Sequence, residues 1–161
     1  MTSIAWQRRV EYTIGYLQLG MIDAAAEELS LVPETDRRRP EVLAAWCDVY
    51  SEGRKWRRMV EVGQELARIA PENSHGWISW AFALRELQCV AEAQAILREA
   101  EAHHPACGVL HYNLACYACL LGDTVEAERR LRRALAIDRA WKKSALDDSD
   151  LAALRDRISR L

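Results

Sequence analysis

Cys116 and Cys119 form a Cys-x-x-Cys pair, with His103, His104, Cys107 and His111 close by in the sequence. Residues of these types hold zinc when two such pairs converge, and they exchange disulfides when the first thiol opens a helix beside a sheet. A structural zinc takes four ligands, and the chain has no second Cys-x-x-Cys. The histidines and Cys107 could complete a set around one turn, so metal or redox chemistry stands as an alternative. The competing reading is packing. Two residues three apart share a helix face, and Cys is a small apolar residue when buried. We carry the packing reading forward, with no metal and no cofactor. Five cysteines, an odd number, fit free thiols in a reducing compartment better than a disulfide framework.

Other chemistry finds less support. There is no glycine-rich phosphate loop, no H-E-x-x-H and no serine on a recognisable nucleophile turn, so an enzyme is not expected. The 161 residues suffice for one domain, and 50% apolar with 29% charged residues describes a folded globular chain. A formal charge of −2 gives no global attraction to nucleic acid or to an anionic membrane. One basic stretch, Arg129 to Lys143, carries seven basic residues against Asp138. Arg129, Arg130, Arg132 and Arg133 are expected to fan over an outer surface, either to meet phosphates or as a solvated helix face. The N-terminus lacks the apolar core of a signal peptide and no run of 18 apolar residues occurs, so the expectation is a cytoplasmic protein with no membrane partner.

The elements that would position any site repeat every 34 residues. One column reads Tyr12, Trp46, Trp80, Leu114 and its neighbour Thr13, Cys47, Ala81, Ala115, a large residue beside a small one. Further columns read Ala25, Met59, Ala93, Ala127, then Leu29, Gly63, Leu97, Leu131, then Val32, Leu66, Ala100, Ala134. Apolar residues recur at three and four, the helical period, and breaks fall at Gly20, Gly53 and Gly122. Each unit therefore reads as two helices joined by a short turn. The large and small columns suit close helix approach, so Trp46 and Trp80 are assigned to packing. His111 falls in the column of Leu43 and Trp77, which also predicts packing.

The third unit, Trp77-x2-Trp80-Ala81-x2-Leu84, Ala93-x3-Leu97 and Pro105, resembles the tetratricopeptide repeat. The fourth, with His111, Leu114, Ala115, Gly122, Ala127, Leu131 and Ala134, resembles it too, but has Arg139 where proline is usual. The likeness extends to small bacterial tetratricopeptide proteins. It implies an all-α fold, a right-handed α-solenoid of about four helix-turn-helix repeats, about 6–39, 40–73, 74–107 and 108–141, in a single domain over 1–161. Pro33 shortens the first repeat and Arg9 occupies an apolar column, so that repeat reads as a divergent cap. Leu151, Leu154, Ile158 and Leu161 form one stripe behind Asp148 or Ser149 as N-cap, which predicts a capping helix over about 148–160.

The resemblance also implies a concave groove lined by the first helix of each repeat. Mapped here, it draws on Ile14 and Leu17, on Glu41, Asp48 and Glu52, on His75, Ile78, Phe82 and Arg85, and on Tyr112, Cys116 and Cys119. That surface is apolar at its ends and acidic in its centre. Arg85 is its only fixed positive charge, short of the lysine, arginine and asparagine set with which some tetratricopeptide domains clamp a C-terminal carboxylate. The expected partner is a protein or peptide segment with apolar anchors and some basic residues. Coverage of these residues by the C-terminal helix or by a second copy, as a homodimer, is the alternative. The functional expectation is a scaffold or adaptor, with a self-associating structural protein or a secretion-chaperone-like protein as alternatives.

Overall fold

A computed structural model describes residues 4–161, and among these the chain is helix and turn without a strand. Four helix pairs follow one another: α1 (Trp6–Gln18) with α2 (Ile22–Ser30), α3 (Pro40–Glu52) with α4 (Trp56–Ile69), α5 (Ser74–Glu86) with α6 (Val90–Ala100), and α7 (Gly108–Leu120) with α8 (Thr124–Ile137). A helix as short as α2 is marginal alone, so packing of its apolar stripe has to hold it.

The turn inside each pair has one geometry. Met21, Lys55, Cys89 and Asp123 donate their backbone N–H to the carbonyls of Tyr16, Tyr50, Leu84 and Ala118, and the preceding residue donates to Leu17, Ser51, Arg85 and Cys119. This is the Schellman closure of a helix C-terminus, which places one residue in the left-handed region. Those residues are Gly20, Arg54, Gln88 and Gly122, at φ of 71°, 52°, 65° and 85°, spaced by the repeat. Gly53, read as the second break, has φ −79° and lies one residue before the reversal. The 34-residue period is thus carried by backbone hydrogen bonds even where glycine is missing.

The chain divides into two compact units between Ala83 and Leu84, inside α5. In the first, α1 packs on α2, both pack on α3, and α3 packs on α4. Ala25, Leu29, Val32, Val42, Ala45 and Val49 form a buried cluster edged by Trp6, Val10, Tyr16 and Trp46. A second cluster joins Leu43, Cys47, Leu66 and Ala70. Between α4 and α5 the backbones nearly touch: a Cβ on Gly63 would lie 2.8 Å from the Trp80 nitrogen, and one on Gly76 would lie 2.6 Å from the Ala67 nitrogen. Gly63 stands where other repeats have leucine because the Trp80 backbone takes that space.

In the second unit α7 packs against α6, α8 and a C-terminal 3-10 turn. GVLHYNLACYACL has no charged residue, and nine of its side chains are buried. A helix without a polar face must be enclosed on every side. The chain closes that gap with α9 (Trp141–Asp147), the 3-10 turn Ser149–Leu154, and α10 (Arg155–Ile158) in place of one helix over 148–160. Asp148 caps the turn, its Oδ1 accepting from the Asp150 N–H at 2.9 Å. Side chains three apart eclipse in a 3-10 turn, so Leu151 and Leu154 both reach the core, with Ile158 beyond.

Candidate interaction surface

In the first unit, α3 carries Glu41, Asp48 and Glu52 at separations of seven and four, which keeps them on one stripe. Pro40 at the first helical position starts that helix and Glu41 in its first turn suits the dipole. Glu41 and Glu52 are exposed and make no ion pair among the described residues, while Asp48 is partly exposed. Helix α5 enters beside them. Asn73 accepts from the His75 N–H at 3.0 Å, capping the helix and fixing His75. His75 Nε2 then lies 2.9 Å from Asp48 Oδ1. Hydrogen bonding to that carboxylate holds the imidazole pKa above its ordinary value, against burial, which lowers it. Ile78 and Phe82 continue along α5, half-buried, with the Phe82 ring edge-on to Trp56 at 5.8 Å. Ile14 is 46% exposed on α1, whereas Leu17 packs against the core. The result is an acidic stripe beside an apolar shelf.

In the second unit the corresponding residues are covered. Tyr112 donates its hydroxyl to Asp148 Oδ2 at 2.7 Å, and the Cys116 thiol lies 3.7 Å from the same oxygen. The Ala153 backbone comes within hydrogen-bonding reach of the Cys119 sulfur. Arg85 meets Asp150 through Nε at 3.0 Å and through Nη2, a two-point contact. The Trp141 ring stacks on Tyr112 at 4.7 Å. Arg85, Tyr112, Cys116 and Cys119 are therefore brought together, and what touches all four is the chain's own segment from Asp148 to Ala153.

Cys116, Asp148 and Asp150 are the only group of ligand-type side chains among the described residues whose donor atoms lie within 4.8 Å of one another. His103, His104 and Cys107 are not part of it. Both Asp150 oxygens already face Arg85. Burial, with the charges of Asp148 and Asp150, pushes the Cys116 thiol well up, and burial raises Cys119 as well. A protonated thiol neither ligates metal nor attacks a disulfide.

His111 packs as its column requires, 2% exposed. Its Nε2 faces the Pro105 carbonyl at 2.8 Å, one repeat after Trp77 Nε1 donates to the Pro71 carbonyl at 3.0 Å. The imidazole thus takes the place of an indole N–H, which leaves Nδ1 to accept from Arg130 at 3.4 Å. Arg130 corrects the expectation that all four arginines of α8 fan outward. Its side chain is 8% exposed and pairs with Glu101 and Glu126, each at 2.7 Å. Arg129 and Arg132 pair with Glu126 and Glu128 on their own helix, so three of the seven basic residues of the run, Arg130 included, have carboxylate partners. Contact with Arg129 and Arg130 lowers the Glu126 pKa to about 2, against burial.

Asp148, read only as an N-cap, Asp150, Glu101 and Arg130, read as facing outward, are the residues whose part in these sites the sequence did not give. The signal for the first two was available in the absence of charge from α7, which requires a cover on its first-helix face.

No protein-family model and no curated protein matches the chain. Solved structures do. A thermophilic tetratricopeptide protein of Thermus thermophilus, TTC0263, is 20% identical at a TM-score of 0.74, covering 97% of this chain and 98% of that one. MamA from Desulfovibrio magneticus RS-1, residues 41 to the end, is 15% identical at a TM-score of 0.75, covering 96% and 88%. The MSR-1 form of MamA is 20% identical at a TM-score of 0.70, covering 85% and 79%. The chain has the tetratricopeptide-type fold, an all-α succession of helix-turn-helix repeats.

Proposed function

We propose that this chain is a protein-interaction scaffold, not a catalyst, and that the acidic stripe of its first unit holds a segment of another protein. The observation that carries the reading is the set Glu41, Asp48 and Glu52 on one stripe of α3, two of them without an ion-pair partner among the described residues, beside Ile78 and Phe82. Complementary charge selects the partner, so the segment carries lysine or arginine between apolar anchors. The fold supports this, since stacked helix pairs present extended first-helix faces. No helix among the described residues is long and apolar enough to cross a membrane, and we place the protein in the cytoplasm.

Affinity capture from lysate of the source organism tests the reading, with wild type and an Asp48→Arg, Phe82→Ala double variant as baits of equal helicity. A protein retained by the first and lost by the second supports it. Equal recovery from both contradicts it.

Self-association is the second reading, favoured by the apolar side chains that the first repeat leaves in water. Tyr12, Ile14, Leu19, Met21 and Leu31 are 45% to 74% exposed, and such surface is commonly covered by a second copy. Light scattering decides: a dimer that dissociates on Leu19→Lys, Met21→Lys substitution supports this reading, and a monomer removes it.

A further inference from the structure

The C-terminal segment is bound to the second unit in the way a ligand would be. Its contacts with α7 and the end of α5 are polar and specific: Asp148 with Tyr112 and Cys116, Asp150 with Arg85, and the Ala153 backbone with Cys119. Leu151 and Leu154 fill apolar space behind them, each 1% exposed or less. The segment itself has little structure of its own to sustain it. It consists of a six-residue 3-10 turn and a four-residue helix, both too short to persist without the surface they lie on. The fit is also incomplete. The Tyr117 hydroxyl, on α7, is buried without a hydrogen-bond partner and lies within electrostatic reach of Arg85, Glu86 and Asp150. A buried hydroxyl without a partner is destabilising, and a different occupant of the same surface can supply what the tail does not.

We propose that the surface made by Arg85, Tyr112, Cys116 and Cys119 is a second docking site, for a partner segment that carries an acidic residue, a second acid two residues on, and leucines three apart, and that residues 148–158 occupy it as an internal competitor. Charge argues for this chemistry. Arg85 is the cation of the site, and both acids of the tail are satisfied there, Asp150 by a two-point contact. The preference is opposite to that of the acidic stripe in the first unit, so the two sites stand or fall separately.

A fluorescent peptide of residues 147–158, DDSDLAALRDRI, titrated into the full chain tests the proposal. The internal segment lowers the apparent affinity of wild type by the fraction of time it is seated. An Asp148→Ala, Asp150→Ala variant of the full chain should therefore bind the peptide at least about tenfold more tightly. Adding Arg85→Ala to that variant should abolish the gain, and a peptide with lysine at the two acidic positions should not bind. Equal binding by wild type and the double variant, or equal binding of the lysine peptide, overturns the proposal. A double variant that dimerises in light scattering makes the occupant a second copy's tail and overturns the assignment to a partner.

Hydrogen exchange on the wild-type chain decides the matter even if the double variant fails to fold. Amides of 151–158 should exchange at least about tenfold faster than those of α7 and α8, by opening of the tail alone. Exchange of the tail only together with α7 and α8 makes it a permanent cap, which is the opposite result.

Discussion

The two units dispose of the same first-helix face in opposite ways. In the first, Glu41 and Glu52 stand in water and Asp48 is met only by a partly exposed His75. In the second, Tyr112, Cys116 and Cys119 lie under the C-terminal segment, and Arg85 is engaged by Asp150. Their interiors differ as well. The first brings helices together by removing side chains, at Gly63 and Gly76. The second keeps leucine at the corresponding columns, Leu110 and Leu131, and beside Leu131 encloses Arg130 between Glu101 and Glu126. A repeat can therefore hold its register while changing how its helices meet, provided a buried charge finds a counter-ion. Arg9 shows the same in the first repeat, where it takes an apolar column by pairing with Glu28 at 2.7 Å.

Substitutions can break this contrast, and the largest effect is expected at Arg130. Arg130→Met leaves Glu101 without its cation and Glu126 with Arg129 alone, and because Glu101 is a third exposed the cost is expected at the low end of the ~3–5 kcal/mol of a buried pair. Denaturant melting should show that loss, and a variant as stable as wild type would return Arg130 to the surface role read from the sequence. Next is Gly76→Ala, whose new methyl meets the Ala67 backbone at 2.6 Å before it meets the Leu66 side chain at 2.9 Å. Overpacking of this kind costs about 1–3 kcal/mol, whereas Gly15→Ala, which meets nothing within 4 Å, should not destabilise.

A smaller effect of opposite sign is expected at the turns. Arg54 and Gln88 hold left-handed φ that glycine adopts without strain, so Arg54→Gly and Gln88→Gly should each stabilise by about 0.5–1 kcal/mol. The smallest effect concerns His75. Its folded pKa is raised above 6.5, so the stabilisation is fully present below that value and is lost as pH rises through the folded pKa. The Tm difference between wild type and His75→Gln should therefore be larger near pH 6 than near pH 9. An equal difference at both would remove the Asp48 contact as its cause.

The helix pairs and their columns were legible in the sequence because helix packing needs a residue of fixed size at fixed spacing. Thr13, Cys47, Ala81 and Ala115, one small column, are each 0% exposed. The turn at Arg54 was not legible, since its left-handed backbone is imposed by hydrogen bonds and not signalled by glycine. The acidic stripe could be read from α3 alone, but its His75 contact depends on where α5 enters. Arg130 was misplaced because four arginines in five residues look like a solvated face. What buries this one is Glu101, distant in sequence, together with His111. The cover on α7 left a trace in that helix's lack of charge, but which segment supplies it is a tertiary fact.

Selection from a displayed library of random peptides, run against the full chain and against an Asp48→Arg, Glu52→Arg variant, tests the central claim most directly. The account predicts that wild type enriches lysine and arginine between apolar residues, and that the variant loses those peptides and selects acidic ones. Recovery of the same basic peptides by both proteins, or no enrichment of basic peptides by wild type, would contradict it.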